Sequence, residues 1–134
     1  MGPNTGGMGA YSPATLLTRK LENKIKKKII EPTLRAMKDS GHPYTGFLYA
    51  GLMIKKNEPY LIEYNIRMGD PECQVLMMRL KTDLLDVIKY AVKNELHNLK
   101  IEWSKKNCIT IVVCAKGYPS VSYTHLTLPT IYSV

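Results

Sequence analysis

Twelve consecutive residues, LIEYNIRMGDPE (61–72), hold Glu63, Asn65, Arg67, Asp70 and Glu72. The apolar start predicts a strand, on which alternate side chains share a face. Leu61, Glu63, Asn65 and Arg67 then point one way, while Ile62, Tyr64, Ile66 and Met68 point the other, toward a core. Glu63 and Asn65 stand roughly 6–7 Å apart along such a strand. A carboxylate and a carboxamide at that spacing can converge on a hard divalent cation, which takes oxygen ligands and leaves positions for phosphate oxygens and water. Arg67, one step further on the same face, can hold a carboxylate or phosphate through paired hydrogen bonds. Asp70 reads as the cap of a following helix, with Pro71 at its first position and Glu72 in its first turn, where free N–H groups favour anions. A solvated edge strand followed by a well-capped helix would use the same residues, and Glu-x-Asn-x-Arg by itself does not separate the two.

A second feature shifts that balance. Asn4, Thr5, Gly6, Gly7, Met8 and Gly9 form the loop NTGGMG. Glycines let a backbone approach a ligand closely and form a concave nest of N–H groups for phosphate. No Gly-Lys-Ser/Thr follows, so this is not a P-loop. A phosphate-cradling loop, a cation-binding strand and an arginine together make a phosphoryl-transfer set, in which positioning and charge neutralisation do most of the catalysis.

The elements that must hold these residues can be read from periodicity. The opening GPNTGGMGAYSP is a glycine-rich loop. A helix is expected from about Leu16 to Ile30, and a second, with Pro32 in its first turn, ends near Ser40 with Gly41 as its stop. GFLYAGLMI (46–54) reads as a buried strand, KKNE as a turn and PYLIEYNIR as the returning strand of a hairpin. Thr82-Asp83 begins another helix over LLDVIKYAVKNEL, and CITIVVCAKG is a final, buried strand. The expected fold class is α+β, an antiparallel sheet with helices on one face.

Composition narrows the classes. The 134 residues are enough for one domain with a real core, and 45% hydrophobic with 22% charged content reads as globular. No apolar run reaches the length of a membrane span, and MGPNTGGMGAYSP lacks the blocks of a signal peptide, so no membrane is expected and the cytoplasm is. Cys73, Cys108 and Cys114 are odd in number without Cys-x-x-Cys spacing, which argues against a disulfide framework or zinc site and for buried free thiols. The net charge of +8 invites a nucleic-acid partner. Much of it lies in Arg19, Lys20, Lys24, Lys26, Lys27 and Lys28, interleaved with Leu17, Leu21, Ile25 and Ile29, the pattern of an amphipathic helix with a wet basic face. No aromatic residue interrupts 16–41 to stack a base, so nucleic acid is not the expected partner.

GPNTGGMGAYSPA, YTGFLYAGLMI, LIEYNIRMGDPECQ and TDLLDVI, in this order, closely resemble the phosphoribosylamine–glycine ligase family of ATP-grasp enzymes. The resemblance covers about Gly2 to Pro119. It implies that the chain is the C-terminal half of an ATP-grasp fold. Residues 1–98 would be a partial ATP-grasp domain and 99–120 the start of a small C-terminal domain. Residues 121–134, which carry no Asp, Glu, Lys or Arg, do not match and are expected to be foreign sequence. It implies ATP-dependent joining of glycine to 5-phosphoribosylamine through a glycyl phosphate, with magnesium or manganese as the ion. Glu63 and Asn65 match the family's metal ligands. Arg67 would steady the transferred phosphoryl group or the glycine carboxylate. The Asn4–Gly9 loop with Gly69, Asp70, Pro71 and Glu72 would frame the substrates. The missing N-terminal part of the enzyme would be the main partner, and the chain alone is expected to be inactive. Two alternatives stand beside this: a basic nucleic-acid-binding module, and an ATP-grasp ligase with another acceptor.

Overall fold

The computed structural model describes residues 5–114 and 117–120. Asn4 and the uncharged 121–134 segment lie outside the described residues, as do two positions at the end of the expected last strand. The elements run β1 (Gly9–Ser12), α1 (Arg19–Ile25), a π-helical turn (Lys26–Ile30), α2 (Glu31–Asp39), β2 (Tyr49–Lys55), β3 (Glu58–Asn65), α3 (Glu72–Arg79), α4 (Leu84–Val92), a 3₁₀ turn (Leu96–Asn98) and β4 (Cys108–Ile111). This is the α+β class read from the sequence. The antiparallel pairing falls in two separate two-stranded sheets, β2 with β3 and β1 with β4.

The two expected helices are one continuous helical run. Thr18 caps it, its hydroxyl accepting from the Leu21 N–H at 3.2 Å. Pro32 lacks the N–H an interior helical residue donates and its ring crowds the preceding turn, which ordinarily breaks a helix. Here the wider π turn comes just before it. Beside it, the Ile29 carbonyl accepts from two hydroxyls, Thr33 at 2.8 Å and Tyr64 of β3 at 3.2 Å. The run ends at Gly41 as expected: its φ of +83° suits glycine, and the His42 N–H reaches back to the Met37 carbonyl at 2.9 Å.

The hairpin also forms as expected. Lys56 (φ 51°) and Asn57 (φ 60°) are the two left-handed residues of a tight turn whose twist matches that of its strands. Neither expected buried strand is buried. β2 is half-exposed along most of its length. β4 is shorter than CITIVVCAKG, and its Ile109 and Ile111 are 70% and 72% exposed. The reason is a shortage of covering layers: each sheet has two strands, α3 packs against β1 and β4, and α1 against β3. The buried apolar side chains are accordingly few, Leu21, Pro71 and Val75 among the described residues. All three cysteines are free and half-buried.

Candidate active site

Glu63 and Asn65 lie at the open end of the hairpin, where Gly51 pairs with Glu63 and Tyr49 with Asn65. Gly51 has no Cβ, and one placed there would come within 3.2 Å of the Glu63 Cγ, so the glycine makes room for the carboxylate arm. The Asn65 amide donates to Glu63 Oε1 at 3.1 Å. The two side chains therefore converge as the strand spacing predicted. A half-turn of the carboxamide exchanges its nitrogen for its oxygen at the same place. The pair then offers oxygen donors from two side chains to one cation, which fits a magnesium-type ion completed by phosphate and water. Among the described residues no group of three or more His, Cys, Asp or Glu is arranged to hold a metal ion.

The alternation holds only over this short stretch. A bulge between Gly51 and Leu52 moves the pairing from Glu63 directly to Leu61, leaving Ile62 without a partner. Ile62, expected in the core, is exposed like its neighbour Leu61 on the polar face. Tyr64 does turn inward, toward the Ile29 carbonyl. Ile66, expected in the core, is 79% exposed because the strand has already ended at Asn65.

Arg67 is exposed and its Nη1 donates to the Met68 carbonyl at 2.8 Å. It lines the mouth of an apolar cavity of about 320 Å³ whose walls include Tyr49, Leu76, Leu80, Val87 and Trp103. Beyond it the chain turns through Gly69 into α3. Asp70 does not cap this helix. Pro71 occupies the cap position with no side-chain cap bond, and the carbonyls of Gly69 and Pro71 accept from Cys73 and Gln74. Because α3 begins one residue later than expected, the Asp70 carboxylate lies exposed beside the site. Asp83, by contrast, caps α4 as read, accepting from the Leu85 N–H at 2.7 Å.

The glycine loop divides in two. Gly9 is not loop but the first residue of β1, paired with Ile111, and a Cβ on it would fall 2.8 Å from the Thr110 carbonyl oxygen. Met8 continues the ladder by accepting from Val112 at 2.9 Å. Thr5 and Gly6 remain exposed loop. Gly7 seats directly on the turn into α3: a Cβ there would lie 2.5 Å from Pro71 Cδ and 3.0 Å from the Asp70 carbonyl oxygen. Tertiary structure thus brings Gly7 to Asp70 and Pro71, and Glu63 to Asn65.

Tyr49 was absent from the sequence-derived set. Its hydroxyl donates to Glu72 Oε1 at 3.2 Å, and its ring lies against Gly69. Burial first, then the negative charge of Glu72 and its hydrogen bond, raise the Tyr49 pKa above the ordinary tyrosine value. The hairpin register, which sets Tyr49 opposite Asn65, is the signal that would have found it.

The basic helical face is partly occupied. Lys24 and Lys28 both pair with Glu58, the latter at 3.1 Å, and Lys26 pairs with Glu22 at 2.8 Å. The hydrogen bond from Lys24, then that from Lys28, holds the Glu58 carboxyl below the usual carboxylate range. These contacts favour the wet-face reading of the charge over a nucleic-acid surface.

Residues 1–73 match the family described as phosphoribosylglycinamide synthetase, ATP-grasp (A) domain, and the chain belongs to this family of ATP-grasp proteins. The chain is 54% identical over 118 residues to the phosphoribosylamine–glycine ligase of Rhizobium meliloti (strain 1021), and 52% identical over 120 residues to that of Vigna unguiculata. It is also similar to a crystal structure of phosphoribosylamine–glycine ligase from Thermotoga maritima, with a TM-score of 0.75 and 32% identity over 91% of this chain. The matches take in 88% of this chain but only 28% and 39% of the two relatives, and 30% of the solved structure. Among the described residues no helix is long and apolar enough to cross a membrane.

Proposed function

We propose that this chain supplies the cation- and glycine-binding side of a phosphoribosylamine–glycine ligase, which joins glycine to 5-phosphoribosylamine at the expense of ATP. The observation that carries the reading is the convergence of Asn65 on Glu63 at 3.1 Å, at the hairpin end that adjoins the Gly69–Glu72 turn. Glu63 and Asn65 would hold magnesium or manganese. When bound, that ion neutralises phosphate charge and so lowers the barrier to phosphoryl transfer.

The chain's own residues do the positioning. Arg67 offers a planar cationic fork to the glycine carboxylate as it attacks the terminal phosphate of ATP, releasing ADP and leaving glycyl phosphate. The amine of phosphoribosylamine then attacks the glycyl carbonyl, expelling phosphate and forming the amide of glycinamide ribonucleotide. Glu72, Asp70 and the Gly6–Gly7 backbone frame the substrates beside that carbonyl. No side chain need become covalently attached. Residues 1–98 act as the ATP-grasp part and 99–120 as the start of a small domain. β4 from the latter pairs with β1 from the former. The rest of the site comes from the portion of the relatives that this chain does not match, so the chain alone is inactive.

The test is a hybrid ligase in which this chain replaces its matching 118 residues in the Rhizobium meliloti relative. Turnover of ATP dependent on both glycine and phosphoribosylamine is expected, with a loss of at least a hundredfold in kcat/KM on Glu63→Gln, on the order of 3 kcal/mol in transition-state stabilisation. A Glu63→Gln hybrid as active as its parent would sink the assignment, and dependence on a different acceptor amine would move the chain to another ATP-grasp ligase.

A further inference from the structure

Two of the residues assigned above to different ligands, Asn65 at the end of β3 and Glu72 at the start of α3, share one neighbour, which meets the first through its backbone and the second through its side chain. Tyr49 pairs with Asn65 through the hairpin ladder, lays its ring against Gly69 and reaches Glu72 with its hydroxyl. We propose that Tyr49 is a positioning residue for ligation: its hydroxyl holds the Glu72 carboxylate over Gly69, where that carboxylate accepts the ammonium group of glycine. The inference rests on the function proposed above and extends it to a residue and to one end of one substrate.

The geometry leaves Glu72 free for such a ligand. Tyr49 takes one carboxylate oxygen, Oε1, while Oε2 leans over Gly69, so close that a Cβ there would collide with it. None of the ion pairs among the described residues involves Glu72. A half-buried carboxylate with one oxygen anchored by a neutral donor and the other unpaired is an acceptor suited to a cationic amine. Arg67 stands on the other side of Gly69 in sequence and offers the complementary charge. A zwitterion with its carboxylate toward Arg67 and its ammonium toward Glu72 would use both. Gly69 is required between them because the Tyr49 ring and the Glu72 carboxylate occupy the space of any side chain, the ring within 2.7 Å.

Steady-state kinetics of the hybrid ligase test this. Tyr49→Phe keeps the ring on Gly69 and removes only the hydroxyl. The expected result is a KM for glycine raised about tenfold, the usual consequence of losing one hydrogen bond to a charged group, with kcat and the KM for ATP unchanged within about twofold. Because the hydroxyl acts through Glu72, Tyr49→Phe added to Glu72→Gln should cost no more than Glu72→Gln alone. An unchanged glycine KM in Tyr49→Phe overturns the proposal, as does a double variant whose losses simply multiply. Melting of the 134-residue chain with Tyr49→Phe monitors the fold. If it falls, Glu72→Gln carries the same test alone, and a normal glycine KM there refutes the proposal. A parent hybrid without turnover refutes the ligase assignment and this inference with it, whereas an active parent with a silent Tyr49→Phe refutes the inference only.

Discussion

Gly7→Ala should do considerable damage for the one methyl it adds. The new methyl would sit 2.5 Å from Pro71 Cδ and 3.0 Å from the Asp70 carbonyl oxygen, where ordinary contact needs about 3.5 Å or more. Neither neighbour can yield by a rotamer change: one is a proline ring that is fully buried, the other is backbone. The loop or the turn into α3 must therefore shift by roughly an ångström, and overpacking of this kind costs about 1–3 kcal/mol. Two other glycines calibrate the figure. Gly41 has nothing within 4 Å of an added Cβ but a φ of +83°, so Gly41→Ala should lose about 1 kcal/mol through backbone conformation alone. Gly6 would meet only the Tyr118 hydroxyl at 4.0 Å and should be nearly neutral. Thermal melting of the three variants should rank them Gly7→Ala lowest, then Gly41→Ala, then Gly6→Ala near the parent. At roughly 4 °C per kcal/mol for a chain of this size, Gly7→Ala should melt about 4–12 °C below the parent. In the hybrid ligase it should also raise the KM for a substrate, since the displaced turn carries Asp70 and Glu72. Equal melting of Gly7→Ala and Gly6→Ala would refute the contact between the glycine loop and the Asp70–Pro71 turn.

Glu58 titrates in the folded chain below its unfolded value, so its contribution to stability is present above the unfolded pKa and is lost as pH falls through the lower folded one. Glu58→Gln should flatten the acid limb of a melting-temperature profile below about pH 4.5 and leave its neutral and alkaline parts parallel to the parent. Asp83→Ala removes the cap of α4 and should lower stability by about 1 kcal/mol, whereas Asp70→Ala, which caps nothing, should change it by less than about 0.5 kcal/mol; urea unfolding separates the two. Ile109→Thr with Ile111→Thr puts polar groups on the exposed face of β4 and should increase the soluble yield of the isolated chain without lowering its melting point. A large drop in melting point would mean that this face is packed after all.

Local features were legible without coordinates because their causes are local. The Glu63-x-Asn65 spacing fixes two side chains on one face of any strand, and they do converge. Gly41 stops its helix and Asp83 starts one because a left-handed residue and an acidic cap act on the adjacent backbone. The family was legible because four motifs stand in order along the chain, and the family match bears it out. Where the reading failed, a distant partner had intervened. Pro32 does sit in the first turn of α2, but the two helices expected to be separate are joined by a π turn, with the Tyr64 hydroxyl from β3 on the Ile29 carbonyl. Gly9 was taken for loop, yet it gains a hydrogen-bonded partner in Ile111, about a hundred residues away. The burial of β2 and β4 was read from apolar composition, but burial requires a second layer, and composition cannot say whether one is there. The bulge at Ile62, the end of β3 at Asn65 and the late start of α3 moved Ile62, Ile66 and Asp70 out of the roles their types suggested. Residue types and spacings by themselves determined which groups are able to bind a cation and an anion, since that is a property of the side chains and of strand and turn geometry. Only the tertiary structure decided that Tyr49 holds Glu72 and that Gly7 seats on Pro71, because each contact joins segments whose approach depends on packing rather than on sequence distance.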